Sequence, residues 1–233
     1  MCYASTLFVH SVEKKVFLLM SIRYVRSILL ITLSLLTWSV GAQIPFDIGH
    51  HHVTPPDNMC QLRWGRKKAI TALGEPVNGV YYLIAQFKEI PSEEVQQRLR
   101  EKGLTLQDYI INNTYFVSLR ASELRKCVKE KVLCSLLPIQ WEWKVASSLL
   151  SDDVPDFARR GNLLGVSVVY QDECSTTWVA ARLKELGFSQ ALHIAGKPFC
   201  SFELWLSSDA LERLAKEPWV KMMGMVSPPA VLF

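Results

Sequence analysis

Arg98-Leu99-Arg100-Glu101-Lys102-Gly103-Leu104 and Arg182-Leu183-Lys184-Glu185-Leu186-Gly187-Phe188 are one phrase written twice, 84 residues apart. Each closes a run with helical apolar spacing and stops at a glycine, the residue that most readily leaves a helix with positive φ. Working outward from the first, Tyr81–Phe87 reads as a strand and Pro91-Ser92 starts a helix with Val95 and Leu99 on one face. Leu104–Ile110, an Asn112-Asn113 turn and Thr114–Leu119 read as a hairpin. Ser122 caps a second helix burying Leu124, Cys127 and Val128, and Leu136–Trp143 closes the unit. Around the second phrase, Leu164–Tyr170 is a strand, Ser175–Thr177 supplies caps, and Val179, Leu183 and Leu186 face inward from a helix. Phe188–Ile194, a Gly196-Lys197-Pro198 turn and Phe199–Leu206 form a hairpin; Ser208 caps a helix that Pro218 ends, and Trp219–Val226 is the last strand.

Both stretches therefore read β-α-β-β-α-β. The expected class is α+β: two tandem ferredoxin-like units, each an antiparallel sheet with two helices on one face. The expected boundaries are a first unit over 80–145, a linker over 146–161, a second unit over 162–228 and a tail over 229–233. Residues 43–79 show no period and read as an N-terminal linker.

A sheet with helices on one side leaves its other face bare. Alternation places Ser201, Glu203 and Trp205 outward on one strand, and Trp219, Lys221, Met223 and Met225 outward on the last. Tyr82, Ile84 and Phe116 take the same place in the first unit. Large apolar side chains on a helix-free face mark a docking surface, unless the two units cover each other.

The chain has 233 residues and a formal net charge of +4. Residues 1–42 hold Lys14, Lys15, Arg23 and Arg26 against Glu13, leaving 22 basic and 21 acidic side chains in the remainder. So balanced a remainder argues against nucleic acid as partner. From Met20, a basic stretch, an apolar run over Ile28–Val40 and the small residues Val40-Gly41-Ala42 follow in the order of a secretory signal peptide. Cleavage is expected after Ala42 and export to the periplasm or medium; residues 1–19 form an upstream extension, Met20 being the better start. The apolar run is short of the ~20 residues a spanning helix needs, so no stable membrane anchor is expected.

The chemistry-bearing residues are sparse. Five cysteines follow Ala42, an odd number with no Cys-x-x-Cys, and their apolar settings read as core. His50, His51 and His52 are adjacent but lack the spacing of a built metal site. Gly165-Val166-Ser167-Val168-Val169 lacks the last glycine of a nucleophile elbow. Asn112-Asn113-Thr114 fits a glycosylation sequon at a turn. The expectation is a non-enzyme with no catalytic residues, metal or cofactor.

Tyr81-Tyr82-Leu83-Ile84-Ala85-Gln86-Phe87-Lys88-Glu89-Ile90-Pro91, with Asp108-Tyr109-Ile110-Ile111-Asn112-Asn113-Thr114-Tyr115, resembles the propeptide region of secreted bacterial subtilisin-like serine peptidases. Leu211-Glu212-Arg213-Leu214-Ala215-Lys216-Glu217-Pro218-Trp219-Val220 is similar to the end of the second propeptide unit there. Ile111 departs from that pattern, which has proline, and the Asp, His and Ser motifs of the catalytic domain are missing. The resemblance implies a folding assistant and inhibitor that acts on a peptidase catalytic domain, in cis in an intact gene or in trans. It implies docking through Tyr82, Ile84, Phe116, Trp205, Trp219, Met223 and Met225, with a tail beginning Val226-Ser227 lying in the substrate cleft. A truncated or split gene product is one expectation; a stand-alone secreted peptidase inhibitor or small-ligand-binding protein is the other.

Overall fold

The structure, a computed structural model, describes residues 43–151, 154–194 and 200–228. The expected signal peptide, the Gly196-Lys197-Pro198 turn and the tail over 229–233 lie outside the described residues.

Residues 43–79 are not a linker. They form a hairpin, β1 (Phe46–Ile48) and β2 (His51–Val53), then two short helices, α1 (Met59–Arg63) and α2 (Lys67–Thr71). Phe46, Val53, Met59, Leu62 and Leu73 are buried against the first sheet. Strands of three residues and helices of five are too short to show a period, so only tertiary contact reveals them.

The first sheet is built on β3 (Val80–Phe87), almost wholly buried. The helix α3 (Glu93–Glu101) follows, its N-terminus capped by Ser92 Oγ, which accepts from the Val95 N–H at 3.4 Å. The strands β4 (Leu104–Tyr109) and β5 (Thr114–Arg120) are joined at Asn112 and Asn113, whose φ values of 51° and 57° are those a two-residue hairpin turn requires. The second helix is one turn, α4 (Leu124–Cys127), and β6 (Leu133–Pro138) begins three residues before its expected start and ends by Pro138. The sheet order is β4-β5-β3-β6, antiparallel throughout.

The expected linker over 146–161 is also structured in part. It carries α5 (Ser147–Leu150) and a two-residue strand, β7 (Arg159–Arg160), that folds back on β8 (Leu163–Tyr170). The helix α6 (Thr176–Glu185), the short β9 (Leu192–Ile194), β10 (Ser201–Leu206), α7 (Ser208–Ala215) and β11 (Val220–Met225) complete the chain. The cap of α7 is Ser207 rather than Ser208; its Oγ accepts from the Ala210 N–H at 3.4 Å. The second sheet runs β11-β8-β10-β9, with β7 pairing β8 as an extra strand.

Both sheets lie in one compact body that begins at Gln43. Tyr82, Val77 and Val80 of the first unit and Val145 and Leu149 of the connection pack into the same cluster as Val168, Leu183, Leu214 and Trp219 of the second. Val145 bridges Met223 in parallel, so the connection docks on the outer edge of β11. Architecture of this kind is α+β, antiparallel sheets with helices packed on them.

Candidate docking surface

The expected docking residues scatter. Tyr82 is buried beneath the second unit, its hydroxyl 3.6 Å from Cys174 Sγ. Ile84 is fully buried and Phe116 half-buried under the β1–β2 hairpin, whose Phe46 and Val53 cover the helix-free face of the first sheet. That face is closed over Ile84 and Phe116 by residues expected to be linker, and over Tyr82 by the second unit.

Trp219 and Met223 are fully buried in the main core, and Met225 is half-buried on its border. The cause is a β-bulge. Val220 pairs Tyr170, but Met222 pairs Val169, so Lys221 is inserted and the parity of the strand reverses after it. Met223 opposite Val168 and Met225 opposite Val166 therefore turn inward, while Met222 turns outward. Trp219 lies before the ladder, edge-on to Trp178 at 6.3 Å between ring centroids. Lys221 reaches Asp108 of the first unit at 3.0 Å.

Trp205 does face outward, but Arg160 covers it, the guanidinium carbon 3.8 Å from the ring centroid. Gly165 lies under the same ring: a Cβ there would meet Trp205 Cη2 at 3.0 Å and Val226 Cγ2 at 2.8 Å. The glycine of the apparent nucleophile elbow is thus a packing residue inside β8. Val226, expected in a free tail, is buried against Val154 and Ala158, and its N–H donates to the Gly165 carbonyl at 3.1 Å. Ser227 is exposed.

What remains open on the second sheet follows from the register. One row crosses the helix-free face as Met222, Val169, Ser201 and Ile194, and the next as Gly224, Ser167, Glu203 and Leu192. Leu192 is 59% exposed, Met222 51% and Ile194 38%; Val169 and Ser201 between them are buried. The alternation of Leu192-His193-Ile194 carries a signal for this face, since His193, itself exposed, lies on the other face beside Phe202, at 5.1 Å between ring centroids. Met222 had no such signal, because the bulge reverses its parity.

A groove of about 430 Å3 marks the junction of the two units, walled by Glu75, Val77, Trp178, Arg182, Glu217 and Trp219. Two of its charges, Arg182 and Glu217, pair with each other. Arg182 Nη2 donates to Glu217 Oε1 at 3.1 Å, and Trp219 Nε1 donates to Glu217 Oε2 at 2.7 Å. Behind it, buried Lys144 donates to the Glu217 carbonyl at 2.8 Å. Loss of water around Lys144 pulls its pKa down to about 8 against the opposing pull of the Glu217 carboxylate.

The Cys127, Cys134 and Cys174 thiols are poor nucleophiles. Burial pushes Cys127 up to about 12 and raises Cys174 and Cys134 as well. His52 Nδ1 lies 2.8 Å from Asp47 Oδ1 on the exposed hairpin. Among the described residues no cluster of three or more His, Cys, Asp or Glu side chains is placed to hold a metal, and no helix is long and apolar enough to cross a membrane. Asn112 Nδ2, at the sequon, donates to the Pro45 carbonyl at 2.9 Å.

Residues 47–143, from the β1–β2 hairpin to just past β6, match the family described as a domain of unknown function, DUF8729. No curated protein and no solved structure matches the chain. The family match begins inside the hairpin and so joins the segment expected to be linker to the first sheet. Over that part of its length, the chain is similar to DUF8729.

Proposed function

We propose that the chain is a non-catalytic, propeptide-like module of two ferredoxin-like units that docks a subtilisin-like peptidase catalytic domain, in cis or in trans, after export. Supporting the finer fold reading, each unit runs strand, helix, strand, strand, helix, strand, with its first and third strands central. The functional reading is carried by one observation: the helix-free face of the second sheet keeps Leu192, Ile194 and Met222 exposed, whereas that of the first sheet is covered. Apolar and methionine side chains on a flat sheet suit a protein interface. The docking set proposed is therefore Leu192, Ile194 and Met222, flanked by Trp205 and Glu203. Val226 is held to β8, so a cleft-entering segment would start no earlier than Ser227.

The test is titration of a subtilisin-like endopeptidase with the full chain. Stoichiometric inhibition is expected, weakened at least ~10-fold by Leu192→Asp with Met222→Asp, since central apolar contacts carry most interface energy. No inhibition and no complex on size-exclusion chromatography would sink the reading. A second reading, a small-ligand-binding protein, rests on the junction groove; a ligand-induced rise in melting temperature lost in Arg182→Ala would favour it.

A further inference from the structure

The junction between α1 and α2 displays a tryptophan at a rigid turn. Gly65 has φ 67°, its N–H donates to the Leu62 carbonyl at 2.9 Å, and the Arg66 N–H donates to the Gln61 carbonyl at 3.0 Å. That double pairing is a Schellman C-cap, which holds the preceding residue, Trp64, in one place. Leu62 and Ala69 anchor the two helices, yet Trp64 is 69% exposed. The turn thus presents a large aromatic side chain to solvent, and what marks it as a contact point is the charge gathered around it.

Cations surround it. Arg63, Arg66, Lys67 and Lys68 fall within six residues, all exposed, and the Arg66 guanidinium lies 5.5 Å from the Trp64 ring centroid. Arg63 ties this turn to a second basic segment. Its Nε donates to the Val128 carbonyl at 2.7 Å and its Nη2 to the Glu130 carbonyl at 3.2 Å, beside exposed Lys129 and Lys131. The Lys88 N–H donates to the Val132 carbonyl at 2.9 Å, adding Lys88 and the exposed Ile90 to the same end of the sheet. The Glu130 carboxylate is engaged by Lys102 and Arg98 and so does not neutralise these residues. Asp57 and Glu89 are the acidic side chains that stand beside these segments. A chain of near-balanced composition thus gathers seven cations around two exposed apolar side chains.

We propose that this end of the first unit is a docking surface for an anionic lipid bilayer. The basic side chains meet the headgroups, and Trp64 sits at the level of the interface, where an amphipathic indole is most stable. Electrostatic attraction falls off within a Debye length, so contact is reversible and distinct from an inserted anchor. Nucleic acid fits less well. Base stacking along a strand needs several aromatic side chains in a row, and among the described residues Trp64 is the one exposed aromatic beside these cations. This surface and the second-sheet face are separate, so the peptidase reading and the lipid reading can fail independently.

The experiment is co-sedimentation of the full chain with phosphatidylcholine vesicles, with and without about 30% phosphatidylglycerol, comparing wild type with Lys67→Glu/Lys68→Glu and with Trp64→Ser. Comparison with variants cancels any contribution from residues 1–42. Wild type should bind the anionic vesicles. The charge-reversed pair should bind at least ~10-fold more weakly, at roughly fivefold per cation lost, and binding should fall as salt rises from about 0.05 to 0.5 M. Trp64→Ser should weaken binding with its circular dichroism spectrum unchanged. Equal binding of wild type and both variants would overturn the proposal. So would binding to single-stranded DNA without binding to anionic vesicles.

Discussion

Lys144 is the residue whose setting is least expected of its type. It is buried at the junction of the two units, with the Glu217 carbonyl as its hydrogen-bond partner. Its pKa of about 8 lies below the ordinary lysine value of 10.5. Between those values the unfolded chain holds a proton that the folded chain has released, so this residue makes stability rise with pH across that window. Below pH 8 the full cost is present, on the order of 3 kcal/mol. Burial raises the Cys127 thiol and the Tyr82 hydroxyl, so these lose stability as the unfolded groups ionise from about pH 9 upward. The lysine contribution is therefore read as a difference. Urea unfolding of wild type and Lys144→Met from pH 7 to 10.5 should show wild type gaining on the variant; parallel curves would refute the account.

At the scale of elements, the two copies of the repeated phrase end alike but sit differently. Gly103 and Gly187 both follow their helices with positive φ, 78° and 93°. A Cβ on Gly103 would meet Glu123 Cβ and Arg120 Nε, each at 2.9 Å, whereas one on Gly187 would meet nothing within 4 Å. Gly187→Ala should cost about 1 kcal/mol, the strain of a left-handed alanine alone. Gly103→Ala adds a clash with the segment leading into α4 and should cost about 2–3 kcal/mol. Equal losses in thermal unfolding would show that the close approach at Gly103 relaxes freely. The bulge at Lys221 belongs to the same scale: one inserted residue exchanges Met223 for Met222 on the surface, and no pattern within the strand announces it.

For the molecule as a whole, the shared core predicts one unfolding event. Tyr82, Val145 and Leu149 are buried in the cluster that holds Leu183, Leu214 and Trp219, and Glu217 ties Arg182 and Trp219 together beside Lys144. Neither sheet can open without exposing core that belongs partly to the other. Calorimetry should give a single transition with matching calorimetric and van't Hoff enthalpies. Tyr82→Ala should lower its midpoint without splitting it, at a cost of about 3 kcal/mol for a buried aromatic side chain. Two resolved transitions would mean that the units fold separately.

The order of strands and helices in both units was legible from periodicity, from capping serines such as Ser92 and Ser175, and from the glycine stops, because these are local signals that short-range physics enforces. The α+β class followed from that order. The site was much less legible. Alternation says which side chains share a face, but not which face is covered, and it fails at a bulge. Only the tertiary structure closed the first sheet with a hairpin too short to show a period, sank Trp219 and Met223 into the core, and left Leu192, Ile194 and Met222 in the open. Charge behaved in the same way. Counted along the chain it nearly cancels, yet folding brings Arg66, Lys67 and Lys68 together with Lys88, Lys129 and Lys131, segments far apart in sequence. A sum of charges is a property of composition. A field is a property of where the fold puts them.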